Sequence, residues 1–76
     1  MAPEIVLYTR QKCPLCDEAA ELLARYGLSY ESIDIDNDVG LREQFDLCVP
    51  VVKVDGRIRF RGRINEVLLR RLLEKA

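Results

Sequence analysis

Cys13-Pro14-Leu15-Cys16 sets two thiols three residues apart, between the apolar run Ile5 to Tyr8 and an amphipathic stretch that begins at Pro14. A Cys-x-x-Cys pair at the junction of a strand pattern and a helix pattern is the spacing of a redox dithiol. Residues three apart on a helix lie about 5–6 Å from one another, within the span a disulfide bridges. Cys13 and Cys16 can therefore pair. Thiol chemistry proceeds through the thiolate, and a helix N-terminus favours that charge through its unpaired N–H groups and macrodipole. Pro14 suits the first helical position, because its missing N–H would have had no intrahelical partner. Cys13 is accordingly read as the exposed nucleophile with a lowered pKa; Lys12 and Arg10 add positive charge, and Asp17 and Glu18 oppose it. Cys16, one turn inside, is read as the thiol that resolves a mixed disulfide formed at Cys13.

The same spacing supplies half of a zinc site. The chain has no histidine and three cysteines, short of the four ligands of a closed zinc site, so redox work is preferred over metal binding within one chain. The remaining thiol, Cys48, has two readings: a third redox group, or a small hydrophobe packed into the core, which is how free cysteine commonly behaves.

The elements that must position these thiols follow from periodicity. Ile5-Val6-Leu7-Tyr8 reads as a central strand buried on both faces. From Pro14 the pattern is helical, with Leu15, Ala19, Leu22, Leu23 and Tyr26 on one face and Gly27 as the stop. Tyr30 to Ile35 reads as a second strand with Ile33 and Ile35 inward, parallel to the first. Asn37 or Asp38 caps a short helix carrying Leu41 and Phe45 and ending near Asp46. Val51 to Val54, Asp55-Gly56 and Arg57 to Phe60 form a hairpin. Asn65 caps a closing helix with Leu68, Leu69, Leu72 and Leu73 on one stripe. The predicted order is βαβαββα.

Length and composition bound the reading. Seventy-six residues make one domain, 1–76, and 12 basic against 13 acidic groups leave a net charge of −1. Disorder and nucleic-acid binding lose support. The N-terminus has no basic segment followed by a long apolar run, and no apolar stretch approaches the roughly 20 residues of a membrane span. An odd number of cysteines does not resemble the disulfide framework of a secreted domain, so a cytoplasmic, reducing location is expected. Charge is uneven: Arg57, Arg59, Arg61 and Arg63 alternate with Ile58, Phe60, Gly62 and Ile64, strand periodicity carrying a charged face. That face either protects a sheet edge from aggregation or attracts an acidic partner protein.

Tyr8-Thr9-x3-Cys13-Pro14-x-Cys16 after a strand, with Val49-Pro50 before a hairpin, resembles the glutaredoxins along the whole chain, in particular the short bacterial glutaredoxin-like proteins with a C-P-L-C site. The resemblance implies an α/β thioredoxin fold with a four-stranded mixed sheet of order 2-1-3-4 and helices on both faces. It implies that Pro50 is cis and faces the dithiol. A cis X-Pro bond costs little beside other cis peptides, and it leaves the backbone of Val49 to pair with an extended thiol substrate. Arg10 matches a position where a lysine commonly contacts a glutathione carboxylate. Arg10, Lys12, Val49 and Pro50 are thus the expected substrate contacts, with Arg42 as a further basic residue. The chain departs from the pattern in its Arg61-Gly62-Arg63-Ile64-Asn65 segment, where the family usually has a Gly-Gly pair and then acidic residues gripping glutathione. It also has Leu15 where an aromatic residue is common, and Cys48 where threonine is common.

The function so implied is a small thiol–disulfide oxidoreductase of cell redox homeostasis and electron transport, with no bound cofactor and with glutathione or a reductase as electron donor. Its partners would be disulfide-bearing proteins or glutathione mixed disulfides, without nucleic acid or membrane, and the chain would act as a monomer. Two other classes stay open: a carrier holding a metal or an iron–sulfur cluster between two chains through the dithiol, and an interaction domain that keeps the fold without turnover.

Overall fold

The alternation of apolar side chains along Ile5–Thr9 (β1) sends Ile5 and Leu7 to one face of a sheet and Val6 and Tyr8 to the other, all four buried. A strand apolar on both sides must lie at the centre of a covered sheet. The computed structural model describes residues 3–46 and 48–74 and places β1 there. Its sheet has the order β2-β1-β3-β4, where β2 is Glu31–Asp34, β3 Val51–Val54 and β4 Arg57–Arg61. β2 runs parallel to β1, whereas β3 is antiparallel to both β1 and β4. With helices α1 (Pro14–Arg25), α2 (Val39–Phe45) and α3 (Glu66–Glu74), the order is the expected βαβαββα.

The two faces of the sheet carry separate cores. Leu23 and Ala19 of α1 and Leu69 of α3 pack on Ile5, Leu7, Val52, Val54 and Phe60. On the opposite face Phe45 of α2 packs with Ile35 on Val6, Tyr8 and Val51, the Tyr8 and Phe45 rings lying 4.9 Å apart. Burying an aliphatic side chain as completely as Leu7, Leu23, Ile35 or Leu69 stabilises the fold by about 1.5–3 kcal/mol each.

Local chemistry explains the boundaries. α1 stops at Gly27, whose φ of 67° suits a residue lacking Cβ. There the Leu28 N–H donates to the Leu23 carbonyl at 3.1 Å and the Gly27 N–H to that of Ala24 at 2.9 Å, closing the helix. Asp38, rather than Asn37, caps α2, its Oδ1 accepting the Leu41 N–H at 3.1 Å. Asp55 and Gly56 both have positive φ, as the two-residue type I′ hairpin turn requires.

Four expectations are corrected. The second strand ends at Asp34, not Ile35: Asp34 Oδ1 accepts the Asp36 N–H at 2.9 Å and draws Ile35–Asn37 into a single 3₁₀ turn, which still buries Ile35 completely. Leu15 and Leu68 leave their helix stripes and are 38% and 47% exposed, because Cys16 and Leu69 take the inward positions beside them. The hairpin's second strand extends to Arg61. Finally, the arginines do not share a face. Val52 pairs with Phe60 but Lys53 with Ile58, so Arg59 is the extra residue of a bulge. Beyond it the alternation inverts, which sets Arg61 on the face opposite Arg57.

Candidate functional site

The register brings the chemistry-bearing segments to one end of the sheet. Thr9 lies beside Asp34, and Tyr8 beside Val51, so Pro50 enters the sheet next to the end of β1. From Thr9 the chain runs through a turn at Gln11-Lys12 to Cys13. Lys12 has φ 57°, a left-handed conformation that redirects the backbone into α1. At the same end the Gly62 N–H donates to the carbonyl of Pro50 at 2.7 Å and to that of Cys48 at 3.2 Å, tying the end of β4 to the residues flanking Val49.

Cys13 is the N-cap of α1 and Pro14 its first residue. The Cys13 sulfur accepts the Cys16 N–H at 3.2 Å, and the Asp17 N–H donates to the Cys13 carbonyl at 3.1 Å. An anionic or electron-rich sulfur at this position meets amide protons that the helix leaves unpaired. The two cysteines are joined as a disulfide with their Cα atoms 5.2 Å apart. They differ in access: Cys13 is half-buried, while Cys16 is buried beneath it. Such a pair is arranged for reversible thiol–disulfide chemistry, with one cysteine partly accessible and the other buried.

The Val49–Pro50 peptide is cis and Pro50 is buried. Among the described residues, the Val49 N–H and C=O have no backbone partner. Cys48 is half-buried against the Phe45, Ile35 and Val51 cluster, its N–H donating to the Phe45 carbonyl.

Arg10, expected at a substrate carboxylate, is held by two aspartates of this chain. Its Nη2 and Nε donate to the two carboxylate oxygens of Asp36 at 2.7 and 3.2 Å, and its Nη1 donates to Oδ1 and the carbonyl of Asp46 at 2.9 and 3.0 Å. Bidentate hydrogen bonding from the guanidinium holds the Asp36 carboxyl below the usual carboxylate range and raises the pKa of Arg10. Arg42 is exposed on α2, where its charge adds to the same effect on Asp36. Lys12 is exposed beside Cys13. Arg63 lies 3.6 Å from Glu18 of α1. In the departing segment, Ile64 is buried in the core, and Asn65 caps α3 by accepting the Val67 and Leu68 N–H groups at 3.0 and 3.2 Å. Sequence reasoning missed the Arg10 fork. Its only signal was a cluster of aspartates, 26 and 36 residues away in the chain.

No described helix is long and apolar enough to cross a membrane. Residues 4–74 match the family model of the Glutaredoxin-like domain (DUF836). An uncharacterized protein of Mycobacterium tuberculosis is 36% identical over 77 residues, covering 90% of this chain and 79% of that protein. Glutaredoxin 3 of Escherichia coli K12 is 35% identical over 40 residues, which cover 53% of this chain and 48% of it. Among solved structures, a structural-genomics target protein from X. campestris superposes with a TM-score of 0.78 at 35% identity, over 95% of this chain and 97% of that one. The sheet order, the three helices and these likenesses are those of the thioredoxin-like fold. With a family match over residues 4–74 and a vicinal dithiol at the start of α1, the chain belongs to the glutaredoxin-like domain family.

Proposed function

We propose that the protein is a small thiol–disulfide oxidoreductase in which Cys13 is the nucleophile and Cys16 the resolving thiol. The observation that carries this reading is the half-buried Cys13 sulfur at the N-cap of α1, accepting the N–H of a buried Cys16. The Cys13 thiolate attacks one sulfur of a substrate disulfide, forming a mixed disulfide and expelling the other substrate sulfur as a thiolate. Cys16, deprotonated, then attacks the Cys13 sulfur. The second substrate thiolate leaves and takes up a proton, and Cys13 and Cys16 remain oxidised. Two electrons from glutathione or another thiol reductant return the pair to its starting state.

Lys12 and the Val49-Pro50 segment are assigned to the substrate. Lys12 offers an exposed ammonium beside Cys13, and the Val49 backbone offers a donor and an acceptor for strand-like pairing with an extended chain. Arg10 is assigned to holding the site rather than to direct contact, since four of its five N–H donors are already engaged.

The test is an equilibrium titration in glutathione redox buffers, with acid quench and mass spectrometry of Cys13, Cys16 and Cys48. A reversible Cys13–Cys16 disulfide is expected, together with glutathione trapped on Cys13 in a Cys16→Ser variant. Exchange at Cys48 alone, or none at Cys13, overturns the assignment. Colour or bound metal in freshly purified dimeric protein would favour the carrier class instead.

A further inference from the structure

The bulge at Arg59 has a consequence on the α3 side of the sheet, away from the dithiol. Arg57, paired with Val54, and Arg59 both line a cleft of about 250 Å³ whose floor is Ile5, Leu69, Leu72 and Leu73. A second cleft of about 300 Å³ lies against Phe60 and Leu68, with Arg71 at its rim. The two clefts share Arg59 and Leu72. They therefore form adjacent apolar depressions with a cationic ridge between them.

α3 carries more apolar surface than the sheet buries. Of its five apolar residues, Val67, Leu68, Leu69, Leu72 and Leu73, only Leu69 is buried. Among the described residues, Arg57, Arg59 and Arg71 make no ion pair, as is also true of Arg42 and Arg61 elsewhere, whereas Arg10, Arg25, Arg63 and Arg70 each do. The acidic residue on the rim, Asp55, is engaged, its Oδ1 accepting the Glu4 N–H at 2.9 Å. Contiguous apolar surface bordered by unpaired like charge is what an interface of opposite charge would complete.

We propose that the β4–α3 surface docks an acidic amphipathic segment of a partner protein, seating one apolar side chain in each cleft and a carboxylate at Arg59. Charge complementarity selects the occupant. Arg57 and Arg71 extend the cationic field on either side, and each depression takes one apolar side chain of the segment. The first cleft is remote from the dithiol, since Ile5 and Val54 stand at the end of β1 and β3 away from Thr9 and Pro50, and the second lies mid-sheet, where Phe60 pairs with Val52; neither cleft is lined by Cys13 or Cys16.

The test is fluorescence anisotropy of a labelled peptide with leucines one helical turn apart and glutamates between them, titrated with the full chain. Saturable binding is expected, weakening about tenfold with Arg59→Glu plus Arg71→Glu and several-fold with Leu68→Ser. These side chains are exposed, so the fold survives their replacement. Cys13→Ser leaves the affinity unchanged. Raising salt from about 50 mM to about 500 mM weakens binding. Equal binding of a peptide with its leucines replaced by serine would reduce the surface to bare charge and overturn the proposal. Absence of binding, indifference to the arginine variants, or capture by anionic lipid vesicles in place of the peptide would overturn it as well.

Discussion

Arg10 grips Asp36 through two hydrogen bonds, Nη2 to Oδ1 at 2.7 Å and Nε to Oδ2 at 3.2 Å, and so links the end of β1 to the turn that follows β2. The same guanidinium reaches Asp46 just past α2. Three segments converge on one cation three residues before Cys13. The bond lowers the Asp36 pKa. A carboxylate depressed in the folded state contributes stability that is full above its unfolded value, about pH 4, and is lost as pH falls through the folded value. Asp36→Asn is expected to flatten the acid side of the stability profile while changing the slope above about pH 6 little. Urea midpoints measured from pH 2 to pH 7 check this; an unaltered acid limb would remove Asp36 from the linkage.

Asn65 replaces an acidic residue of the family pattern, and its work here is structural. Its Oδ1 accepts two N–H groups of the first turn of α3. Asn65→Ala is expected to destabilise the chain by about 1 kcal/mol, with Asn65→Asp retaining the cap. If Asn65→Ala instead slowed thiol exchange with no loss of stability, the residue would belong to the substrate site.

Much of the architecture was legible because each strand and helix is long enough to show its own period. β1 is apolar from Ile5 to Tyr8 and had to be central, and Asp55-Gly56 marked the hairpin turn. The strand order rested on the family resemblance. What escaped was set by contacts distant in sequence or by a break in register. The Arg57–Arg63 alternation is unbroken as a string of letters, yet the extra residue at Arg59 inverts its facing, and nothing local distinguishes a bulged strand from a regular one. Leu15 and Leu68 fit an apolar stripe equally well as their inward neighbours Cys16 and Leu69. Arg10 carries a charge that suits a ligand and a salt bridge alike, and only the folded chain brings Asp36 and Asp46 to it.

Leu23 is wholly buried where α1 meets the sheet, about two turns beyond Cys16 on the same helix. Leu23→Ala removes that packing and leaves a cavity the rigid sheet cannot close, at an expected cost of about 2–5 kcal/mol. Denaturant unfolding measures the loss. Since α1 also positions the dithiol, thiol exchange per folded molecule should change far less than stability; a proportionate fall would mean that packing at Leu23 tunes the site itself.

Cys48 separates a packing role from a chemical one. It is half-buried against the Phe45 and Ile35 cluster, with its backbone N–H and C=O both engaged, the latter by Gly62. A thiol in that setting acts as a small hydrophobe. Cys48→Ala should therefore keep thiol exchange within about twofold of the parent and cost less than about 1.5 kcal/mol, because alanine leaves only a small void. Cys48→Ser places a hydroxyl against apolar neighbours and should cost more than Cys48→Ala. Rate and unfolding midpoint measured on both variants decide the matter: if both lose turnover alike while stability holds, Cys48 is a working thiol, and the order of the two substitutions in stability alone identifies it as packing.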